Sequence, residues 1–173
     1  MSKPNILVIQ ADQLTALCLQ VYGTPYALTP HMGRIAARGT TYLNSYCNSP
    51  VCGPSRASMM TGRLPSNVGV YDNAGEFLSS EPTYAHYLRT LGYQTSLVGK
   101  MHFVGPDQLH GFERRLTTDI YPSDFSWTAD WSQYKEEYAP SRMSLLSVVE
   151  AGTCERSLQV DYDDHVFNMA KQE

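Results

Sequence analysis

The sequence predicts an α/β protein with a mixed, mainly parallel sheet and helices on both faces. Three observations indicate this class. A short apolar run at residues 5–11 is typical of a buried strand, another strand pattern lies at 93–98, and amphipathic helical patterns lie between them. Alternating strands and helices favour an α/β architecture. Polar residues follow both predicted strands, where open α/β sheets bind their ligands.

The composition is that of a globular chain. Its 173 residues are 42% hydrophobic and 17% charged, enough for one domain with a core. The formal net charge is -4 and the signs are interspersed, which argues against a nucleic-acid or anionic-membrane surface. The first apolar run is too short for a signal-peptide core, and none approaches membrane-spanning length. We therefore expect a cytoplasmic protein that binds neither nucleic acid nor membrane.

The first quarter of the chain predicts a strand, a helix and a second strand. The run N-I-L-V-I-Q-A at residues 5–11 leads directly into Asp12 and Gln13. By position alone, Asp12 fits a turn cap as well as it fits a ligand-binding carboxylate. A helix with proline in its first turn is predicted for residues 29–39, and residues 40–47 alternate loosely as a strand.

Two helices are predicted in the middle of the chain, at residues 54–62 and 83–91. Cys52 would then precede a helix N-terminus, where the helix dipole and Arg56 one turn later favour a reactive thiolate. A buried, inert cysteine is the commoner case, and no histidine here has the context of a cysteine hydrolase. The apolar face of the second helix would consist of Tyr84, Tyr87, Leu88 and Leu91.

The remaining chain predicts a strand, a loop-rich segment and a last helix. Lys100 and His102 follow the strand at 93–98, although a lysine taken alone is more often a solvated surface residue. Residues 105–140 are aromatic and irregular, and we expect them on the substrate side of the domain. A helix begins beyond Leu158, and its apolar stripe consists of Tyr162, Val166 and Met169.

Three motifs resemble those of the type I sulfatase family of the alkaline phosphatase superfamily. C-G-P-S-R at 52–56, followed by T-G at 61–62, is similar to the signature C-x-P-S-R-x-x-x-x-T-G. G-Y-Q-T-S-L-V-G-K-M-H at 92–102 resembles the family's second signature, and P-N-I-L-V-I-Q-A-D-Q at 4–13 resembles its first strand and metal-binding loop. The resemblance implies that residues 1–173 are the N-terminal part of a sulfatase catalytic domain, with an incomplete sheet.

The resemblance also implies two cofactors. A sulfatase maturation enzyme would convert Cys52 to formylglycine, a hydrated aldehyde with one hydroxyl to attack sulfur and a second to expel sulfate. Asp12, Gln13 and the converted Cys52 would bind a divalent metal, expected to be calcium. Many sulfatases have a second Asp in place of Gln13, so the identity of the metal stays open.

Further roles follow from the same resemblance. Arg56 would hold the aldehyde hydrate. Lys100 and His102 would bind the sulfate oxygens and assist the leaving group. Cations and hydrogen-bond donors aimed at the sulfuryl oxygens suit the charge that the transition state must hold.

Three further stretches closely resemble choline sulfatases: residues 70–73, 99–113 and 116–122. They imply choline sulfate as the substrate and Asn73 as a contact to a sulfate oxygen. Trp127 is the candidate aromatic face for the quaternary ammonium, although ordinary packing would explain a tryptophan equally well.

Two alternatives stand beside this interpretation. Phosphonate monoester hydrolases and phosphodiesterases share the superfamily fold and the Asp-Gln opening. A non-catalytic fragment is the other alternative, because sulfatases carry a second pair of metal ligands and another lysine farther downstream. Residues 163–165 (D-D-H) lie in a helical pattern and are not taken as that pair. We therefore expect little or no activity from this chain alone, and homo-oligomers only of a full-length form.

Overall fold

The computed structural model describes residues 3–121, 123–125 and 146–173, without the side chains of residues 146 and 147. The chain divides into two compact units, Met1–Tyr46 and Cys47–Glu173, and each is described by itself. Trp127 and much of the predicted loop-rich segment lie outside the described residues.

The first unit contains two short 3-10 helices, Ala16–Cys18 and Gln20–Tyr22, and helix α1, Pro30–Ala36. Proline occupies the first turn of α1, as the sequence predicts. Thr29 and Gln20 exchange two hydrogen bonds: the Thr29 hydroxyl accepts from the Gln20 amide at 3.1 Å, and Gln20 Oε1 accepts from the Thr29 amide at 3.0 Å. This exchange ties the start of α1 to the preceding turn.

The prediction of two strands in this part of the chain was wrong. Residues 5–11 and 40–47 have no strand structure. The side chains of the first run are exposed, Ile6 by 58% and Leu7 by 83%. A strand needs a neighbour for its backbone hydrogen bonds and a face to bury its side chains. The unit supplies neither to these segments, so a strand-like sequence stays unpaired.

The second unit carries helices and a parallel strand pair. The helices are α2 (Cys52–Thr61), α3 (Pro65–Val68), α4 (Tyr84–Thr90), α5 (Leu146–Val149) and α6 (Leu158–Ala170). Strands β1 (Ser96–Leu97) and β2 (Arg114–Arg115) pair in parallel, with Ser96 opposite Arg114. Parallel strands among helices confirm the predicted α/β class. Strand β2 is absent from the sequence-based prediction, because two arginines offer no apolar alternation.

The predicted helices are present with adjusted bounds. Helix α2 begins at Cys52, not at residue 54, so Cys52 is its first residue, and Gly62 ends it with a φ of 67°. Thr83 caps α4 in a capping box in which the His86 side chain accepts from the Thr83 amide at 3.1 Å. Tyr87 and Leu91, predicted for the apolar face of that helix, are exposed.

The buried face of α4 is formed by Ala85 and by Tyr84, one of the predicted residues, which packs edge-on against Phe112 at 6.1 Å between ring centroids. Both contact a hydrophobic core that lies around Phe103. The other buried core members are Ala57, Met60, Val68, Val70, Phe77, Leu97 and Met101. Helices α2 and α4 and the segment after β1 are held together by this core.

Helix α6 packs on the segments that follow the two strands. Its predicted stripe of Tyr162, Val166 and Met169 is the half-buried side of the helix. The Tyr162 hydroxyl donates to the carbonyl of Thr118 at 2.6 Å. A Cβ added to Gly99 would lie 3.4 Å from a methyl of Val166, so the helix approaches the backbone closely there. None of the helices in the described ranges is long and apolar enough to cross a membrane.

Candidate active site

The parallel pairing of β1 and β2 determines where the site lies. Carboxyl ends of parallel strands meet at one edge of a sheet, so the segments after β1 and β2 run side by side. The Leu116 amide donates to the Leu97 carbonyl at 2.9 Å. The Gly99 amide donates to the Thr117 hydroxyl at 2.7 Å. Lys100 and His102 therefore lie beside the residues that follow β2.

Helix α2 brings Cys52 and Arg56 to the same edge. The Lys100 Nζ atom lies 3.5 Å from Cys52 Sγ. Arg56, only 5% exposed, donates from Nη1 to the Lys100 carbonyl at 2.6 Å and lies 3.5 Å from Met101 Sδ. The Lys100 ammonium therefore lies beside the first residue of α2, and Arg56 fixes the backbone that carries Lys100.

Asn73 joins the start of α2 to His102. Its Oδ1 atom accepts from the Gly53 amide at 2.9 Å, and its backbone carbonyl lies 2.7 Å from His102 Nε2. A Cβ at position 53 would lie 3.0 Å from the Asp72 carbonyl oxygen and 3.4 Å from His102 Cδ2. Only glycine fits this close approach of helix and loop without displacing a neighbour.

His102 is almost fully buried and has a left-handed backbone, with a φ of 54°. Burial lowers the pKa of His102, the hydrogen bond to Asn73 raises it, and the charge of Lys100 lowers it again. The imidazole is therefore neutral at pH 7, with its proton on Nε2, where the Asn73 carbonyl accepts it.

Asp119 is a polar residue of this site that sequence reasoning did not identify. One carboxylate oxygen accepts from the Met101 amide at 2.8 Å, and the other accepts from the His102 amide at 2.9 Å. The signal that would have located it is strand β2: once β2 is paired with β1, Asp119 must fall beside the 100–102 loop.

The structure brings together five predicted site residues: Cys52, Arg56, Asn73, Lys100 and His102. Asp12 and Gln13 belong to the first unit, where they lie in a turn and Gln13 has a φ of 58°. No group of three or more His, Cys, Asp or Glu suited to a metal ion occurs in the described part of the chain. A hard cation takes about six or more oxygens, which these residues alone do not supply.

The second unit thus presents a cysteine at a helix start, with a lysine ammonium beside it and a buried histidine nearby, on an α/β scaffold. Such a site suits the binding of an anion. The sequence profile of the Sulfatase family matches residues 4–172. The chain belongs to the Sulfatase family.

Individual relatives agree with this assignment. The chain is 51% identical to choline-sulfatase from Rhizobium meliloti over 98% of this chain and 33% of that protein. It is 39% identical to arylsulfatase A from Bos taurus over 66% of this chain and 25% of that protein. The predicted similarity to choline sulfatases is therefore confirmed. The chain spans about a third or less of the length of these relatives.

Solved structures show the same fold. One protein, solved in complex with its substrate D-glucosamine-2-N,6-O-disulfate, is 36% identical with a TM-score of 0.57, covering 60% of this chain and 21% of that one. Phosphonate monoester hydrolase of Agrobacterium radiobacter is 25% identical with a TM-score of 0.60, covering 66% of this chain and 26% of that one.

Proposed function

We propose that this site binds the sulfate group of choline sulfate and contributes to its hydrolysis through a formylglycine made from Cys52. The observation that carries the proposal is the Lys100 ammonium 3.5 Å from Cys52 Sγ, because it places a cation where a sulfuryl group would meet the nucleophile. Family membership and the identity to a choline-sulfatase support the reaction and the substrate.

The surroundings of Cys52 fit the modified residue. The side chain is half-buried in the first turn of α2 and faces a cation. Formylglycine would supply a hydrated aldehyde, with one hydroxyl as nucleophile and one to release sulfate. Arg56, one turn later on the same helix, is assigned to hold the hydrate while its bond to the Lys100 carbonyl keeps that lysine in place.

Asn73 and His102 are assigned to the sulfate oxygens. Asn73 uses its side-chain oxygen for Gly53, so its amide group is oriented by helix α2. A neutral His102 that already donates from Nε2 has no second N–H to offer. It can donate to a sulfate oxygen from Nδ1 only when protonated, and a bound anion raises the pKa of a neighbouring imidazole. Substrate binding would therefore favour the charged form of His102.

A divalent metal is also part of the proposed function, and no step of the reaction is assigned to it. Asp12 and Gln13 are the proposed oxygen ligands in the first unit, and calcium is the proposed ion. Two ligands are fewer than calcium takes, so we expect this chain to bind sulfate esters without turning them over. A cytoplasmic location, a maturation enzyme as partner and an oligomer of a full-length form likewise stay predictions.

The test is an NMR titration of the chain with choline sulfate. We expect the largest shifts at the amides of Gly53, Asn73 and residues 100–102. Peptide mass spectrometry across Cys52, after co-expression with a sulfatase maturation enzyme, should show the loss that replacement of a thiol by an aldehyde produces. An unmodified Cys52 together with shifts scattered away from α2 would contradict the proposal.

A phosphonate monoester or phosphodiester is the second candidate substrate. The similarity to the hydrolase from Agrobacterium radiobacter favours it. The same titration with an aryl phosphonate monoester and an aryl phosphodiester separates the two: tighter binding of either than of choline sulfate would select this alternative.

A further inference from the structure

The carboxylate of Asp119 lies at the centre of a hydrogen-bond network behind the proposed sulfate site. Besides the amides of Met101 and His102, it accepts from Arg115 Nη2 at 2.6 Å and from the Ser123 hydroxyl at 2.6 Å. Each oxygen thus receives one backbone and one side-chain bond. The side chain of Asp119 is only 7% exposed, and that of Arg115 only 10%.

We propose that Asp119 is a positioning residue for the sulfate site: it holds the backbone of the loop that carries Lys100 and His102. The functional part of this inference rests on the proposed function, whereas the structural part stands on the contacts alone. None of the described hydrogen bonds joins Asp119 to Cys52. Asp119 therefore acts on the site through the loop.

The loop needs such support because His102 has a left-handed φ of 54°. A non-glycine residue in that region is strained, and it persists only where its surroundings hold it. Charge-assisted bonds from two successive amides to one carboxylate supply that stabilisation. Arg115 in turn is anchored by its bonds to Gln108 Oε1 at 2.6 Å and to the Thr117 carbonyl at 3.2 Å.

A second aspartate provides a matched control. Asp107 holds His110, another histidine with positive φ (41°), by accepting from the Leu109 amide at 2.9 Å and the His110 amide at 3.0 Å. Both bonds go to the same oxygen of Asp107, so Asp107→Asn can keep them. The two bonds at Asp119 use different oxygens, so Asp119→Asn must lose one of them.

The structural test is amide hydrogen exchange in the whole chain. In the unmodified protein we expect Met101 and His102 to be protected. In Asp119→Asn we expect their exchange to rise about tenfold or more, relative to the Glu113 amide, as loss of one charge-assisted bond implies. In Asp107→Asn we expect no change at Met101 and His102. Three outcomes would each overturn the proposal. The Met101 and His102 amides could lack protection in the unmodified protein, or their exchange could stay unchanged in Asp119→Asn. Exchange could also rise equally throughout the second unit.

The functional test is binding of inorganic sulfate, followed by NMR at the Lys100 and Gly53 amides. We expect Asp119→Asn to weaken the affinity about fivefold to tenfold while Asp107→Asn leaves it unchanged. Equal affinity for the unmodified protein and Asp119→Asn would overturn the positioning role. If the unmodified protein does not bind sulfate, the proposed function fails, and the exchange experiment still decides whether Asp119 holds the loop.

Discussion

The ammonium nitrogen of Lys100 lies 3.5 Å from the sulfur of Cys52, although the two residues are 48 positions apart in the sequence. The contact joins the first turn of α2 to the loop that follows β1. Two sequence signatures that are distant in the chain therefore form one site.

Replacing Lys100 with alanine should weaken binding of inorganic sulfate about tenfold to a hundredfold, because a charge-assisted contact is worth about 1.5–3 kcal/mol. Lys171→Ala is the matched control, since that lysine lies 4.6 Å from the centre of the Phe167 ring on α6. Calorimetric or NMR titration measures both. Similar affinities for the two variants would show that Lys100 has no role in anion binding.

Replacing Arg56 with alanine should lower the free energy of unfolding by about 2–3 kcal/mol, because the Lys100 carbonyl then loses its charged donor in a buried setting. Arg114→Ala is the control: Arg114 is exposed and pairs with Glu173 at 3.0 Å, so we expect a loss within about 0.5 kcal/mol. Urea unfolding followed by circular dichroism compares the two, and equal losses would contradict the role of Arg56.

His110 should make the protein less stable in acid. Its side chain is fully buried, stacks on Phe77 at 4.1 Å, and its ring nitrogens have no hydrogen-bond partner in the described ranges. The nearest carboxylate oxygen, on Asp107, is 3.6 Å from Nδ1, too far for a hydrogen bond. Burial lowers the pKa of His110, the charge of Asp107 raises it, and the charges of His86 and Arg115 lower it.

The folded-state pKa of His110 is below the ordinary value of about 6.5, so the unfolded chain binds the proton more readily. Stability should be full above pH 6.5 and fall below it, by up to about 1.4 kcal/mol per pH unit. His110→Phe should reduce this slope, leaving the share of His102, whose pKa is also lowered. Urea unfolding from pH 8 to pH 5 measures the slope. His165→Gln, at an exposed position, should not change it, and an unchanged slope in His110→Phe would refute the prediction.

Replacing Gly111 with alanine should cost about 3 kcal/mol or more. Its φ is 95°, and a Cβ there would lie 2.7 Å from the backbone nitrogen of His86, so strain and overlap add. Gly62 is the control, because it has a φ of 67° and open space around the added atom. Gly62→Ala should cost about 1 kcal/mol. Thermal unfolding of both variants gives the difference, and equal costs would mean that the contact with His86 relaxes freely.

Local signals made most helices predictable. Pro30 begins α1, Gly62 ends α2, and Thr83 caps α4, because capping is a property of adjacent residues. Strands depend on partners elsewhere. The predicted strands at 5–11 and 40–47 lack partners within their unit, whereas β2 exists only because β1 pairs with it.

The candidate site likewise combines residues that local sequence identifies with a residue that only tertiary contacts place there. Cys52, Arg56, Lys100 and His102 could be named from the family signatures, and the structure places them close together. Their chemical roles stay predictions. Asp119 carries no local signal, because the two hydrogen bonds that join it to Met101 and His102 span 18 and 17 residues of sequence. No short stretch of sequence contains that information.

The exposed run at residues 6–9 has a consequence for how the chain behaves in solution. Ile6, Leu7, Val8 and Ile9 are uncharged, β-prone and 58–83% exposed, with no proline among them. Such a segment pairs readily with a copy of itself, edge to edge, and seeds ordered aggregates. These four residues of the first unit therefore limit the concentration at which the chain stays monodisperse, and one lysine introduced at Val8 should raise it.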